Sequence, residues 1–99
     1  MLVGMNRRLS DDEIETQLRD LATWRRLGGD ASAITTTYEC EDFAAAIALV
    51  QRIADTAEEM NHHPDIDIRW NKVTLTLSTH SAGGLTQLDI EAAHRFDAA

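Results

Sequence analysis

Three of the four histidines in this 99-residue chain, His62, His63 and His80, fall at the ends of predicted elements, in the company of Glu58, Asn61 and Asp89. Loops and element ends are where a rigid scaffold usually presents chemistry. An ordinary imidazole titrates near pH 6.5, so about a quarter of it is protonated at pH 7 and one ring can donate while a neighbour accepts. Such a pair suits acid–base catalysis, in which each well-placed group contributes on the order of 100- to 10,000-fold in rate. Two other readings use the same residues. An irregular turn could fold His62, His63 and His80 around a metal with Asp65 and Asp67, although adjacent histidines lack the helical i, i+4 spacing that aims two rings at one ion. Alternatively, His62 and His63 simply end a helix, where partial positive charge complements the dipole. Glu58 then reads as a solvated helix residue, and Asp89 closes a capping box with Thr86, a role compatible with catalysis. His94 has no polar company nearby in sequence and reads as an ordinary surface residue.

The elements that must position these residues follow from periodicity. In LSDDEI, Ser10 caps a helix, Glu13 completes a capping box and Leu9 is placed to staple against Ile14; Ile14, Leu18 and Leu21 then predict a buried face to about Leu21. Trp24–Leu27 and Ala33–Tyr38 flank GGD and predict a hairpin, with ITTTY suited by its β-branched residues to a pleated surface. Asp42 to about Asn61 reads as a long helix with an apolar stripe of Phe43, Ala46, Ile47, Val50, Ile53, Ala54, Ala57 and Met60. Pro64 disfavours helix for the residue before it, so the helix is expected to stop near the histidines. Ile66, Ile68 and Trp70 alternate with Asp65, Asp67 and Arg69, and Val73, Leu75 and Leu77 with Thr74, Thr76 and Ser78. These are two antiparallel strands turning at Asn71 and Lys72, with Trp70 expected as an aromatic core residue, Cys40 as a small buried one, and His80 on the face opposite Leu75. After the SAGG connection, Thr86 and Asp89 start a last helix with Leu85, Leu88, Ala92 and Phe96 as its stripe. The order α-β-β-α-β-β-α predicts an α+β fold, a four-stranded antiparallel sheet with three helices on one face, in a single domain over residues 1–99 whose residues 1–8 form a flexible N-terminal segment.

Composition narrows the function. A formal net charge of -8, with Arg7, Arg8, Arg25 and Arg26 scattered, argues against nucleic acid or an anionic membrane surface as partner. No stretch approaches the ~20 apolar residues of a spanning helix. No targeting segment is read in MLVGMNRR, and Cys40, the single cysteine, allows no internal disulfide; a cytoplasmic protein is expected.

Taken together, Glu58, three residues, His62-His63-Pro64, five residues, Trp70, nine residues, His80, eight residues and Asp89 resemble the signature of the pterin-4a-carbinolamine dehydratases, and THSAGGLTQLDIEAA is similar to their usual closing pattern. The resemblance spans essentially the whole chain. It implies a hydro-lyase, 4a-hydroxytetrahydrobiopterin dehydratase, which removes water from the carbinolamine made by aromatic amino acid hydroxylases to give a quinonoid dihydropterin, with no metal and no organic cofactor. By the family's pattern His62 and His80 protonate the departing hydroxyl, and His63 holds the pterin or acts as base. Glu58 and Asp89 orient or tune the rings, and Asn61, Pro64 and main chain at Ser78 and Thr79 help bind the pterin. The resemblance also implies a homodimer or homotetramer, for which ITTTY, as an uncharged edge strand, is a candidate surface. Animal relatives also stabilise the dimer of a liver homeodomain transcription factor, so a non-catalytic pterin-binding or protein-binding member is the alternative. Two departures stand out: Asn61 where some relatives carry an acid, and Ala44, Ala45 and Ala46, less bulky than in many relatives.

Overall fold

The structure is a computed structural model and describes residues 7–27 and 33–99. Among the described residues its elements are α1 (Asp11–Leu18), β1 (Arg25–Leu27), β2 (Ala33–Glu39), α2 (Phe43–Met60), β3 (Asp65–Arg69), β4 (Lys72–Leu77), a 3-10 turn (His80–Ala82) and α3 (Gln87–Asp97). The strands form one antiparallel sheet in the order β1-β2-β4-β3. This is the predicted α+β arrangement and element order. ITTTY, however, lies in β2, an interior strand paired on both sides, so the sheet edges are β1 and β3. Alternation identifies which face of a strand is buried and carries no information on which strands flank it.

Strand alternation separates the two faces of the sheet. Val73, Leu75 and Leu77 are fully buried, and Ile34 joins them opposite Leu77. The helices pack on this face, adding Ile14, Leu21, Ala46, Leu49, Ile53, Ala57, Ile90, Ala93 and Phe96 to the core. On the other face Thr37 and Thr74 share a hydroxyl hydrogen bond of 2.8 Å, and Thr35 Oγ1 donates to the Leu75 carbonyl. The apolar stripe of α2 is partly rotated from its predicted phase. In α2 both Phe43-Ile47 and Ala46-Leu49-Ile53-Ala57 are apolar, and packing buries the second set, leaving Phe43 and Ile47 about half exposed. In the stripe predicted for α3, Leu85, Ala92 and Phe96 are buried and joined by Ile90 and Ala93, while Leu88 is only half-buried.

Local chemistry fixes the ends. Ser10 and Glu13 form the predicted capping box, and a bidentate contact from Arg7 to Glu13 holds that carboxyl down to about 2, ahead of the bond from the Ser10 amide. Leu9 and Ile14 are both buried. The helix stops at Leu18, short of the expected Leu21, because the next amides tighten to i−3 acceptors: Arg19 to Thr16, Asp20 to Gln17 and Leu21 to Leu18. Residues 1–6 of the expected flexible segment and the GGD loop lie outside the described residues, whereas Arg8 forms a β-bridge with Thr86 and Leu9 N–H donates to the Leu85 carbonyl. The β3–β4 turn is Trp70-Asn71, one residue earlier than expected, since Arg69 pairs directly with Lys72. Trp70 therefore sits at the tip with φ 54° and 67% exposed, and is not a core residue. Asn71, buried, donates from Nδ2 to the Cys40 carbonyl at 2.9 Å.

Asp97, near the end of α3, accepts from Trp24 Nε1 at 3.0 Å and from the Tyr38 hydroxyl at 2.5 Å, tying the last helix to the sheet. Burial, then the hydrogen bond to Asp97, pushes the Tyr38 phenol above its ordinary range. A raised phenol favours the folded state below the unfolded value near pH 10, and that contribution is lost as pH rises above it. Tyr38 is the single tyrosine of the chain. Its ultraviolet titration should therefore show no phenolate at pH 10 to 11 in the folded protein, with ionisation and alkaline unfolding coinciding; a phenolate signal near pH 10 in the folded state would refute the latch.

Candidate active site

The site begins where α2 ends. Asn61 adopts the left-handed conformation, φ 51° and ψ 43°. Its N–H donates to the Glu58 carbonyl at 3.2 Å, and the His62 N–H donates to the Ala57 carbonyl at 3.1 Å. That pair of bonds is a Schellman motif, with Asn61 in the place glycine most often takes and asparagine next tolerates. The helix is thus ended by Asn61 three residues before Pro64, which then continues the extended path into β3. The reversal sends adjacent histidines into different surroundings. The His62 side chain is 11% exposed and the His63 side chain 54%.

His62 Nε2 lies 2.6 Å from Asp89 Oδ1, and Asp89 is fully buried. The other carboxylate oxygen, Oδ2, accepts from the Thr86 N–H at 2.9 Å, closing the capping box of α3, and from the Thr79 hydroxyl at 2.7 Å. Each oxygen has its own duty: Oδ2 begins the helix and Oδ1 holds an imidazole 27 positions earlier in the chain. A carboxylate only accepts, so the proton on the His62–Asp89 bond belongs to Nε2 and the ring nitrogen left to exchange protons is Nδ1. His63 Nε2 lies 2.6 Å from Glu58 Oε2, both groups being exposed. It too leaves Nδ1 outward, through a surface pair that contributes at most ~1 kcal/mol.

His80 follows Thr79 directly and opens the 3-10 turn, its side chain exposed; β4 ends at Leu77, so the alternation expected to set its direction stops short of it. Among the described residues no hydrogen bond engages its ring. Thr79 anchors it: the Thr79 N–H donates to the Gly84 carbonyl at 3.0 Å, and the Thr79 carbonyl accepts from Ala82 at 3.0 Å and Gly84 at 3.3 Å. Gly83 takes φ 73° to close this loop, a conformation that favours glycine. Thr79 main chain thus makes its hydrogen bonds within its own turn. Ser78 and Pro64 are half-buried beside the same elements, and Asn61 is exposed.

The structure joins His62 to Asp89 and His63 to Glu58, and links His80 to the first pair through Thr79. It does not place Asp65 or Asp67 with them: these are exposed residues of β3, and among the described residues no three His, Cys, Asp or Glu side chains gather around a common point. Two buried hydroxyls joined to this cluster, those of Thr79 and Thr86, 2.9 Å apart, were not anticipated as partners of each other. The signal for Thr79 was its parity, shared with Val73, Leu75 and Leu77, which turns it to the core side.

Fold and site define a small α+β protein in which carboxylates brace two imidazoles beside an antiparallel sheet. A sequence model of the family described as pterin 4 alpha carbinolamine dehydratase matches residues 7–99. A Nocardia farcinica protein, provisionally named pterin-4-alpha-carbinolamine dehydratase, is 57% identical over 89 residues, 90% of each chain. A similarly named Roseiflexus protein is 53% identical over 93 residues, 94% of this chain and 97% of its own. The crystal structure of a Brucella melitensis transcriptional coactivator/pterin dehydratase superposes with a TM-score of 0.87 at 37% identity, covering 92% of this chain and 96% of that one. A pterin dehydratase-like protein identified as a RuBisCO assembly factor in the alpha-carboxysome shares the fold, with a TM-score of 0.65 at 23% identity over 77% of this chain and 87% of its own. The chain belongs to the pterin-4a-carbinolamine dehydratase family.

Proposed function

We propose that this protein is a 4a-hydroxytetrahydrobiopterin dehydratase acting in the cytoplasm in tetrahydrobiopterin recycling, downstream of an aromatic amino acid hydroxylase. The observation that carries the reading is the 2.6 Å bond between His62 and the fully buried Asp89, which leaves one defined ring nitrogen to work. In the substrate, a hydroxyl sits on a ring carbon bonded to an N–H. The nitrogen lone pair expels the hydroxyl as it forms the C=N bond; the oxygen leaves as water after taking one proton, and the nitrogen gives up its own. His62, when its ring carries protons on both nitrogens, gives the Nδ1 proton to oxygen and is left as the neutral Nε2–H ring held by Asp89. His80, whose ring is unengaged among the described residues, is the second such donor, and His63 accepts the proton from nitrogen or holds the pterin. Glu58 and Asp89 fix the two rings, and Asn61, Pro64 and main chain at Ser78 and Thr79 border the pterin. Each proton removed balances one supplied, so this scheme uses no metal or organic cofactor.

The test is a coupled assay in which a pterin-dependent hydroxylase generates the carbinolamine and its decay is followed with chelator present. The protein should accelerate decay with chelator as well as without; a rate equal to the spontaneous one sinks the proposal, and a rate that chelator abolishes favours a metal. The family relationship to a coactivator also supports a second reading, a pterin-binding or protein-binding member. Pterin binding without acceleration in the same assay distinguishes it. The exposed Phe43, Ile47 and Trp70 support the expected self-association as a homodimer or homotetramer.

A further inference from the structure

The hydroxyls of Thr79 and Thr86 form a chain whose proton order is dictated by the groups at its ends. Thr79 has one hydroxyl proton, and it points to Asp89 Oδ2 at 2.7 Å. The 2.9 Å contact between the two threonine oxygens must then be donated by Thr86, whose Oγ1 in turn accepts the Leu88 N–H at 3.3 Å. Every donor in the sequence Leu88, Thr86, Thr79 therefore points toward Asp89. With the Thr86 N–H, two donors converge on Oδ2, and none of these groups is reached by solvent: Thr86 and Asp89 are fully buried and Thr79 nearly so.

We propose that the Thr79 hydroxyl is a positioning residue for His62: aligned by Thr86, it keeps Asp89 as a pure acceptor and so fixes the His62 tautomer with hydrogen on Nε2 and the lone pair on Nδ1. The only competing arrangement puts a proton on Asp89 and makes Nε2 the acceptor, which moves the ring's other proton to Nδ1. Two donors on Oδ2 favour the charged carboxylate over that alternative, because hydrogen bonds to a charged acceptor are about twice as strong as neutral ones. Removing one of them weakens the preference. A role for this threonine through its side chain is separate from any contact its main chain makes with substrate. The proposal rests on the dehydratase reading only for its catalytic consequence; the tautomer itself is defined without substrate.

The experiment reads the ring nitrogens of His62 by long-range proton–nitrogen NMR, assigned by comparison with His62→Gln, at a pH where the ring is neutral. In the unmutated protein Nε2 should be of the protonated type and Nδ1 of the unprotonated type; the reverse pattern overturns the proposal before any threonine is changed. In Thr79→Val, nearly identical in shape, the Nδ1-protonated form should appear and kcat/KM should fall about 10-fold, scaled to the loss of one hydrogen bond to a charged group. Thr79→Ser should restore both. An unaltered His62 spectrum in Thr79→Val, or failure of a folded Thr79→Ser to restore it, overturns the proposal. If the tautomer responds as described while the unmutated protein shows no dehydratase activity, the positioning role stands and the catalytic reading fails.

Discussion

Replacing His62 with Gln and His80 with Ala together should reduce carbinolamine dehydration to the spontaneous rate while leaving the circular dichroism spectrum and melting behaviour near those of the parent. Glutamine is the informative choice at position 62. The imidazole is nearly enclosed and its Nε2 faces a fully buried carboxylate, so alanine would leave Asp89 Oδ1 without a donor, at a cost of about 1–3 kcal/mol that has nothing to do with catalysis. The glutamine amide reaches a similar position, can donate to Asp89 and cannot shuttle a proton. His80 is exposed with its ring unengaged among the described residues, so alanine there should cost little stability. Each group is worth on the order of 100- to 10,000-fold if it transfers a proton in the rate-limiting step. Residues acting as a unit are not additive, so either single substitution should already lose most of the rate. Initial rates in the coupled assay decide the matter; a folded double variant with parental activity removes these histidines from the chemistry.

Asp89→Asn should lower kcat/KM by about 100-fold or more with a smaller loss of stability than Asp89→Ala. The asparagine carbonyl can still accept from Thr79 and from the Thr86 N–H, preserving the start of α3. Its amide group then faces His62 and donates where the carboxylate accepted, so Nε2 must become the acceptor and Nδ1 the protonated nitrogen. The ring stays in place, but with Nε2 facing a donor it can no longer carry the second proton that lets Nδ1–H act as an acid. Loss of the correct tautomer through an Asp-to-Asn change costs about 10,000-fold in serine proteases, which sets the scale. Asp89→Ala instead strands three buried donors and should cost about 3–5 kcal/mol, the range for breaking a buried hydrogen-bonded ion pair. For a chain of this size each kcal/mol corresponds to roughly 4–8 °C in melting temperature. Calorimetry and the coupled assay on both variants separate the two effects. Equal destabilisation by Asn and Ala, or an active Asp89→Asn, contradicts the division of labour between Oδ1 and Oδ2.

Much of this architecture is written locally in the chain. Ser10 with Glu13 and Thr86 with Asp89 announce two helix starts, and the alternation of Val73, Leu75 and Leu77 announces a strand with one buried face. What stayed hidden depends on partners far away in sequence. ITTTY has the composition of an edge or an interior strand, and only its pairing with both β1 and β4 decides. α2 carries apolar residues over so broad an arc that either Ala46-Leu49-Ile53 or Phe43-Ile47 could face the core. Trp70 continued an apolar alternation and so looked internal, but the two-residue turn begins there and turns it outward. At the candidate site, the spacing of Glu58, His62, His63, His80 and Asp89 picked out residues of which the fold pairs His62 with Asp89 and His63 with Glu58. It could not disclose that Asp89 is fully buried, or that the Thr79 hydroxyl reaches its carboxylate.

Because one carboxylate both initiates α3 and grips the imidazole, fraying of that helix and disassembly of the site are a single opening event. Thermodynamic reciprocity then requires that anything held by His62 in its Nε2-protonated form also slows hydrogen exchange at the first amides of α3, and that whatever loosens α3 weakens the ligand's grip by the same factor. The last helix, whose C-terminal end is tied to the sheet through Asp97, is thus a remote reporter of occupancy, legible from the far side of the molecule.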